Sequence, residues 1–244
     1  MFRYKSISTF LFDELLNRYI YFCKPLDFND PLEFYCSHAQ ISAASHKMVE
    51  TLIASGEVPD QEEHYEFALE NFFRLFVAQI NDMRTDLLEK KGVCCFSETD
   101  TNNLLWSHYA NGHRGVCIEY NLDKINGKVI KVNYFKEPFE IPFKDGKPDG
   151  GELSEVILST KKIDWEYERE IRLYHAEPNK RFYHQRDSIK SITFGLKTSA
   201  DDAGAIGRAA LSNNPNCKFY KIVLPENGGW DLERFNEELV FDPN

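Results

Sequence analysis

Long hydrophobic runs are missing from this chain: it has no stretch of about 18 apolar residues, the length a membrane-spanning helix needs. The opening MFRYKSISTF has no charged region leading into an apolar core, so neither a secretory signal nor a membrane span is expected. Positive charge is in deficit, with 29 Lys and Arg against 39 Asp and Glu and a formal net charge of -10. That balance repels polyanions and argues against a protein whose main task is gripping duplex nucleic acid. The six cysteines form no C-x-x-C pair and no zinc-ribbon spacing. Several lie in apolar runs, so reduced, buried thiols and a cytoplasmic location are expected. Glycine-rich loops of Walker or Rossmann spacing are absent, as is any internal repeat, and Ser97 has no G-x-S-x-G setting. Cys94-Cys95 sits in an apolar strand without an adjacent base, which makes a poor nucleophile.

What is present suits one soluble domain spanning residues 1–244, with 42% hydrophobic and 28% charged residues. Phe2–Lys5 reads as a strand, and Ser8-Thr9 as the cap of a helix carrying Leu11 and Leu15. The aromatic run Tyr19–Cys23 reads as a second strand, and Phe28-Asn29-Asp30-Pro31-Leu32-Glu33 as a structured turn. From Ala43 to Lys91, Tyr65, Leu69, Phe72, Phe73, Phe76 and Ile80 recur at helical spacing, which predicts a helical insert or cap. Val93–Ser97, Val116–Tyr120, Lys128–Tyr134, Ser188–Phe194 and Cys217–Leu224 read as strands. Short helices are expected after Asn102-Asn103, over Glu152–Thr160 and over Ala200–Leu211. The polar segment Glu137–Gly151 reads as a loop, and the tail with Trp230 as an edge-packing piece. Strands and helices do not alternate regularly, so the fold expected is α+β with a mainly antiparallel, twisted sheet.

Asp164–Tyr174, D-W-E-Y-E-R-E-I-R-L-Y, alternates as a strand does. Read that way, it lines Glu168, Glu170, Arg172 and Tyr174 on one face and Tyr167, Ile171 and Leu173 on the other. Two carboxylates about 7 Å apart beside a guanidinium can be tuned separately, one holding a hydroxyl while the other polarises a nucleophile. An exposed strand of salt-bridged charges fits the same pattern. Three further polar segments are flanked by aromatics, as a small-molecule cleft requires: Tyr4-Lys5, Asn29-Asp30, and Ser97 with W-S-H-Y-A-N-G-H-R-G, which holds Trp106, His108, Tyr109 and His113. His108 and His113 are five apart, a spacing that does not stack two imidazoles on one helix face, so no metal site is expected. His108 is read as a hydrogen-bonded cleft or core residue and His113 as orienting the turn.

With F-N-D-P-L-E, C-F-S, L-W-S-H-Y-A-N-G-H-R-G-V-C-I-E-Y and K-K-I-D-W-E-Y-E-R-E-I-R in this order, the chain resembles the uncharacterised bacterial family catalogued as domain of unknown function 2971. The resemblance runs from Tyr4 to about Tyr174. It implies a bacterial domain without an established activity, in some members beside defence or mobile-element genes, so phage defence or a toxin system is a setting it suggests. A more distant similarity is to ADP-ribosyltransferases, whose order of basic residue, serine and E-x-E maps onto Arg3 or Lys5, Ser97 and Glu168-x-Glu170. Ser97 departs from that pattern by lying in C-F-S-E rather than S-T-S. The similarity implies NAD as a substrate, Glu170 as the catalytic group on the ribose hydroxyl, and Glu168 orienting or deprotonating a protein or nucleic-acid acceptor. Trp106 or Tyr109 would stack on the nicotinamide, and Tyr4 and Lys5 would contact ribose or phosphate. No cofactor is called for by the residues themselves. The competing class is a ligand-sensing or protein-interaction module; a metal-dependent nuclease is the third, disfavoured by the charge.

Overall fold

A computed structural model describes residues 1–30, 32–175, 177–225, 231–235 and 239. In chain order its elements are β1 (Phe2–Lys5), α1 (Thr9–Asn17), β2 (Tyr19–Phe22), α2 (His38–Ala54), α3 (Glu62–Lys90), β3 (Gly92–Ser97), α4 (Asn103–Tyr109), β4 (Val116–Tyr120) and β5 (Lys128–Lys131). There follow β6 (Asn133–Phe135), β7 (Phe143–Lys144), β8 (Lys147–Pro148), α5 (Gly150–Ser159), β9 (Thr160–Lys162), β10 (Glu170–His175), β11 (Lys180–Tyr183), β12 (Ile189–Phe194), α6 (Ala200–Leu211), β13 (Lys218–Val223) and β14 (Glu233–Arg234). The fold is α+β, as the irregular alternation of elements predicts. The chain divides into two compact units, one of residues 1–23, 92–131 and 165–244, the other of 24–91 and 132–164.

The first unit is built on an eight-stranded sheet in the order β14-β13-β12-β4-β1-β3-β10-β5. All of its pairs are antiparallel except β12 with β13, the two strands joined through α6. A parallel pair needs such a crossover. One face of the sheet carries Phe96, Val116, Ile118, Ile171, Leu173 and Ile192, which pack with Leu11 and Leu15 of α1 and Ile206 and Ala210 of α6. The other face carries Cys117 and Ile222, which pack with Trp106 of α4 and with Leu232. Ser8 caps α1 by accepting from the amide of Leu11, and Asn102 caps α4 by accepting from Leu105, as their side chains predict. A strand not foreseen, β11, pairs with β2. The tail contributes β14 to the sheet edge; Trp230 lies outside the described residues, as does Pro31.

In the second unit α2 starts from a full capping box, in which the Ser37 hydroxyl accepts from the Gln40 amide and the Gln40 side chain accepts from Ser37. α2 and α3 pack together. The predicted stripe on α3 is buried at Phe76 and Ile80 and only half-buried at Tyr65, Leu69, Phe72 and Phe73. Two expectations fail here. Residues 128–134 form two strands, β5 in the large sheet and β6 paired in parallel with β9. The segment read as a loop, 137–151, contains the hairpin β7–β8, turned through Asp145 and Gly146 at positive φ, the conformation a two-residue hairpin turn demands.

Gly115, between α4 and β4, is fixed by close approach: a Cβ there would lie 2.2 Å from the Lys5 carbonyl oxygen and 3.0 Å from the Ala110 Cα. Gly204 in α6 has only the Arg208 guanidinium near its virtual Cβ, at 3.5 Å. Gly115→Ala is therefore expected to lower unfolding stability by about 1–3 kcal/mol, and Gly204→Ala to raise it by up to about 1 kcal/mol. Urea denaturation of both variants checks the opposite signs.

Candidate functional site

The sequence-predicted residues of the first unit gather around the ends of β3 and β10, but in an arrangement the strand pattern does not foretell. Strand β10 begins only at Glu170. Glu168 ends a 3₁₀ helix spanning Ile163–Glu168, and Arg169 takes a left-handed φ of 44° between the two. That residue breaks the alternation, so the predicted row of Glu168, Glu170, Arg172 and Tyr174 is corrected: only the last three share a strand face. The turn is clamped to β3 by two bonds. The Ser97 hydroxyl donates to the Glu168 carbonyl at 2.7 Å, and the Glu98 amide donates to the Arg169 carbonyl at 3.1 Å. Asn102, besides capping α4, donates to the Tyr167 carbonyl at 3.0 Å.

Each glutamate has its own anchor. Glu168 is buried and its Oε1 accepts from the Tyr109 hydroxyl at 2.7 Å, a tie between the end of α4 and the turn. Glu170 is 3% exposed and faces Arg172, which is 0% exposed. The guanidinium grips the carboxylate with two bonds, Nε to Oε1 at 2.8 Å and NH2 to Oε2 at 3.0 Å. Residues two apart on a strand face meet this way because both side chains are long. Burial pulls the Arg172 guanidinium down from its ordinary value, with Tyr174 opposing the shift.

Ser97 sits directly opposite Glu170 in the β3–β10 register, and Phe2 of β1 lies opposite Ser97. Phe2, Tyr4, Ser97 and Glu170 therefore lie on one sheet face. Tyr4 is held by a bond from its hydroxyl to the Thr99 carbonyl at 2.9 Å and by an edge-on contact with Trp106, centroids 5.2 Å apart. Lys5, grouped with Tyr4 in the sequence reading, is on the opposite face with Arg3, and both reach Glu14 of α1. The expected convergence of Lys5 with Ser97 and Glu170 is thus corrected. Alternation along β1 forbids it.

Trp106 is fully buried, its indole donating to the Asp100 carbonyl at 2.7 Å, so it is a core residue and not a face for ligand stacking. His113 stacks on it, 6.1 Å between centroids and 13° between planes, and takes a left-handed φ of 67°. His108, expected in cleft or core, is exposed at the end of α4 with Tyr167 6.4 Å away. Asn29 and Asp30 belong to the second unit, where Asp30 Oδ1 accepts from the Leu32 amide at 2.9 Å and closes the turn its sequence predicts. Sequence reasoning missed Glu14, Thr99, Asp100 and Tyr167. Thr99, Asp100 and Tyr167 act partly or wholly through backbone carbonyls, which leave no signature in residue type.

The second unit has a cavity of about 230 Å³ whose walls come from three separated segments. Asp30, Leu32, Glu33 and Tyr35 line one side, Phe135 and Phe139 another, and Ile157, Lys161 and Lys162 a third. Lys161 and Glu33 form a buried ion pair at 3.5 Å, with 4% and 1% of their side chains exposed. Around it Leu32, Tyr35 and Phe135 are exposed apolar groups. A neighbouring cavity of about 360 Å³ shares Ser37, Gln40, Pro138 and Phe139 with it. Among the described residues no group of three His, Cys, Asp or Glu is placed to hold a metal ion, and no helix is long and apolar enough to cross a membrane. All six cysteines are thiols and not disulfides, and burial pushes the Cys94 thiol up to about 11.

His113, His175 and His184 all have pKa values lowered from the ordinary histidine value, burial being the largest cause in each. The folded protein thus binds fewer protons than the unfolded chain between their folded values and about 6.5, and stability falls as pH drops through that window. The urea midpoint should decline from pH 7.5 to pH 5.5. In His113→Phe, which keeps a ring against Trp106 but cannot titrate, the decline should be shallower.

Residues 105–173 match the family model described as Protein of unknown function (DUF2971), a segment running from within α4 into β10. The match bears out the resemblance carried by the W-S-H-Y and E-Y-E-R-E-I-R motifs. No curated protein and no solved structure gives a significant match.

Proposed function

We propose, starting from the match to a family with no assigned activity, that this chain is a binding module that takes a small, partly apolar ligand in the cavity of the second unit. The observation that carries this reading is the composition of that cavity. Aromatic walls from Tyr35, Phe135 and Phe139 surround a buried Lys161–Glu33 pair. Rings supply contact area and a few fixed polar groups set orientation, which is the usual make-up of a small-molecule site. At about 230 Å³ it lies below the range of drug-sized sites, which points to a small metabolite and away from a dinucleotide. A cytoplasmic setting is part of the proposal, in keeping with six cysteines present as thiols.

The test uses the environment-sensitive dye anilinonaphthalene sulfonate. Wild type is expected to bind it saturably, and Tyr35→Ser at the exposed rim to weaken binding several-fold. Tyr183→Ser, at a more exposed tyrosine in the first unit, should leave binding unchanged. Equal loss in both variants, or none in either, would remove the cavity from the reading.

A second reading, glycosyl transfer of the ADP-ribosyltransferase kind, is favoured by one observation. Tyr4, Ser97 and Glu170 come from neighbouring strands and share a sheet face. Against it, both Glu170 oxygens already accept from Arg172, and Lys5 lies on the far face. The binding-module reading expects neither wild type nor Glu170→Gln to consume NAD. It expects Glu170→Gln to lose stability, by up to about 3–5 kcal/mol as for one partner removed from a buried pair. NAD turnover by wild type that Glu170→Gln abolishes would reverse the ranking of the two readings.

A further inference from the structure

The face of β1 turned toward α1 holds two cations and one anion. Glu14 of α1 is buried, and Lys5 Nζ is hydrogen-bonded to its Oε2. Arg3 NH1 lies 3.8 Å from Glu14 Oε1, beyond hydrogen-bond reach, and that nitrogen is enclosed and has no hydrogen-bond partner. The groups that face the pair from other strands bring no compensating charge. Burial pushes the Cys94 thiol of β3 up to about 11 and the Tyr120 phenol of β4 well up, so both stay neutral near pH 7. The cluster therefore carries one positive charge in excess, in a place where an uncompensated charge is costly. It is not sealed: the Arg3 and Lys5 side chains keep 18% and 17% of their exposure, against 5% for Glu14.

We propose that Arg3 and Lys5 form a binding site for a small oxyanion, a carboxylate or phosphate group that presents two oxygens to the guanidinium fork while Glu14 fixes the lysine. A planar fork of donors beside an ammonium is the arrangement that recognises such anions. The site lies on the sheet face opposite Ser97 and Glu170 and does not depend on the cavity of the second unit.

Proton linkage adds a signature that a purely structural cluster lacks. Burial and the neighbouring Arg3 charge pull Lys5 down to about 8, with Glu14 opposing. An anion bound beside Lys5 favours its charged form, so binding is expected to weaken as pH rises through 8 and to take up protons there. Of the other groups near Arg3 and Lys5, the Cys94 thiol is pushed to about 11 and the Tyr120 phenol higher, and the Cys23 thiol also lies close to Arg3. Cys23→Ser, run alongside, separates its contribution.

Isothermal titration of the full chain with sodium phosphate and with sodium acetate, against sodium chloride at equal ionic strength, tests the proposal. Wild type is expected to bind one of the oxyanions at pH 7 and to lose affinity between pH 7 and pH 9. Arg3→Gln should bind about tenfold more weakly, the equivalent of about 1.4 kcal/mol. The arm that responds tells phosphate from carboxylate. No binding beyond chloride by wild type, or equal binding by a folded Arg3→Gln, overturns the site. If Arg3→Gln does not fold, Lys5→Gln replaces it, and retained affinity with an unchanged pH profile is then the overturning result.

Discussion

The buried ion pair between Glu170 and Arg172 is the interaction around which the first unit is arranged. Two charges taken out of water are stabilising only when geometry is good and their remaining hydrogen-bonding capacity is met. Here the guanidinium meets both carboxylate oxygens at the start of strand β10, directly beside Ser97 of β3. That register brings the end of β3 against the 3₁₀ turn, where Ser97 and Glu98 hold the carbonyls of Glu168 and Arg169. Tyr109 then reaches Glu168 and Asn102 reaches Tyr167, so α4 is fixed to the same turn. A pair formed two residues apart on one strand thus sits at the centre of contacts spanning α4, β3 and β10.

Strand β1 divides the chemistry of this unit between two sides. Its even-numbered residues join the face covered by Trp106, where Tyr4 is locked by Thr99. Its odd-numbered residues, Arg3 and Lys5, face Glu14 on α1. The first side has its acids matched to donors, Glu168 to Tyr109 and Glu170 to Arg172. The second has more cation than anion. Local charge therefore runs opposite to the acidic character of the whole chain, whose formal net charge is -10, and composition alone conceals it.

Much of the fold was legible because local signals agreed with the tertiary result. Ser8 and Asn102 cap helices as their side chains allow, β-branched and aromatic runs became strands, and Asp30 closed its turn. The site was legible in part. Glu170 and Arg172 on one strand face followed from alternation, and so did the divergence of Tyr4 from Lys5, since adjacent strand residues point apart. Their grouping as one polar segment went against that period. Glu168 was misplaced because an arginine gives no warning that it will adopt a left-handed φ.

By itself the sequence determined most of the helices and central sheet strands, the α+β class and the alternation of side chains within those strands, because these follow from spacing, capping and steric preference over a few residues. The tertiary structure alone decided that Arg172 is buried with Glu170, that Trp106 is core, and that Arg3 shares one carboxylate with Lys5. Burial and partner choice depend on segments distant in the chain, as when α4 meets the turn before β10. Whether a charge is solvated or enclosed is a property of what surrounds it, and no local pattern of residues carries that information.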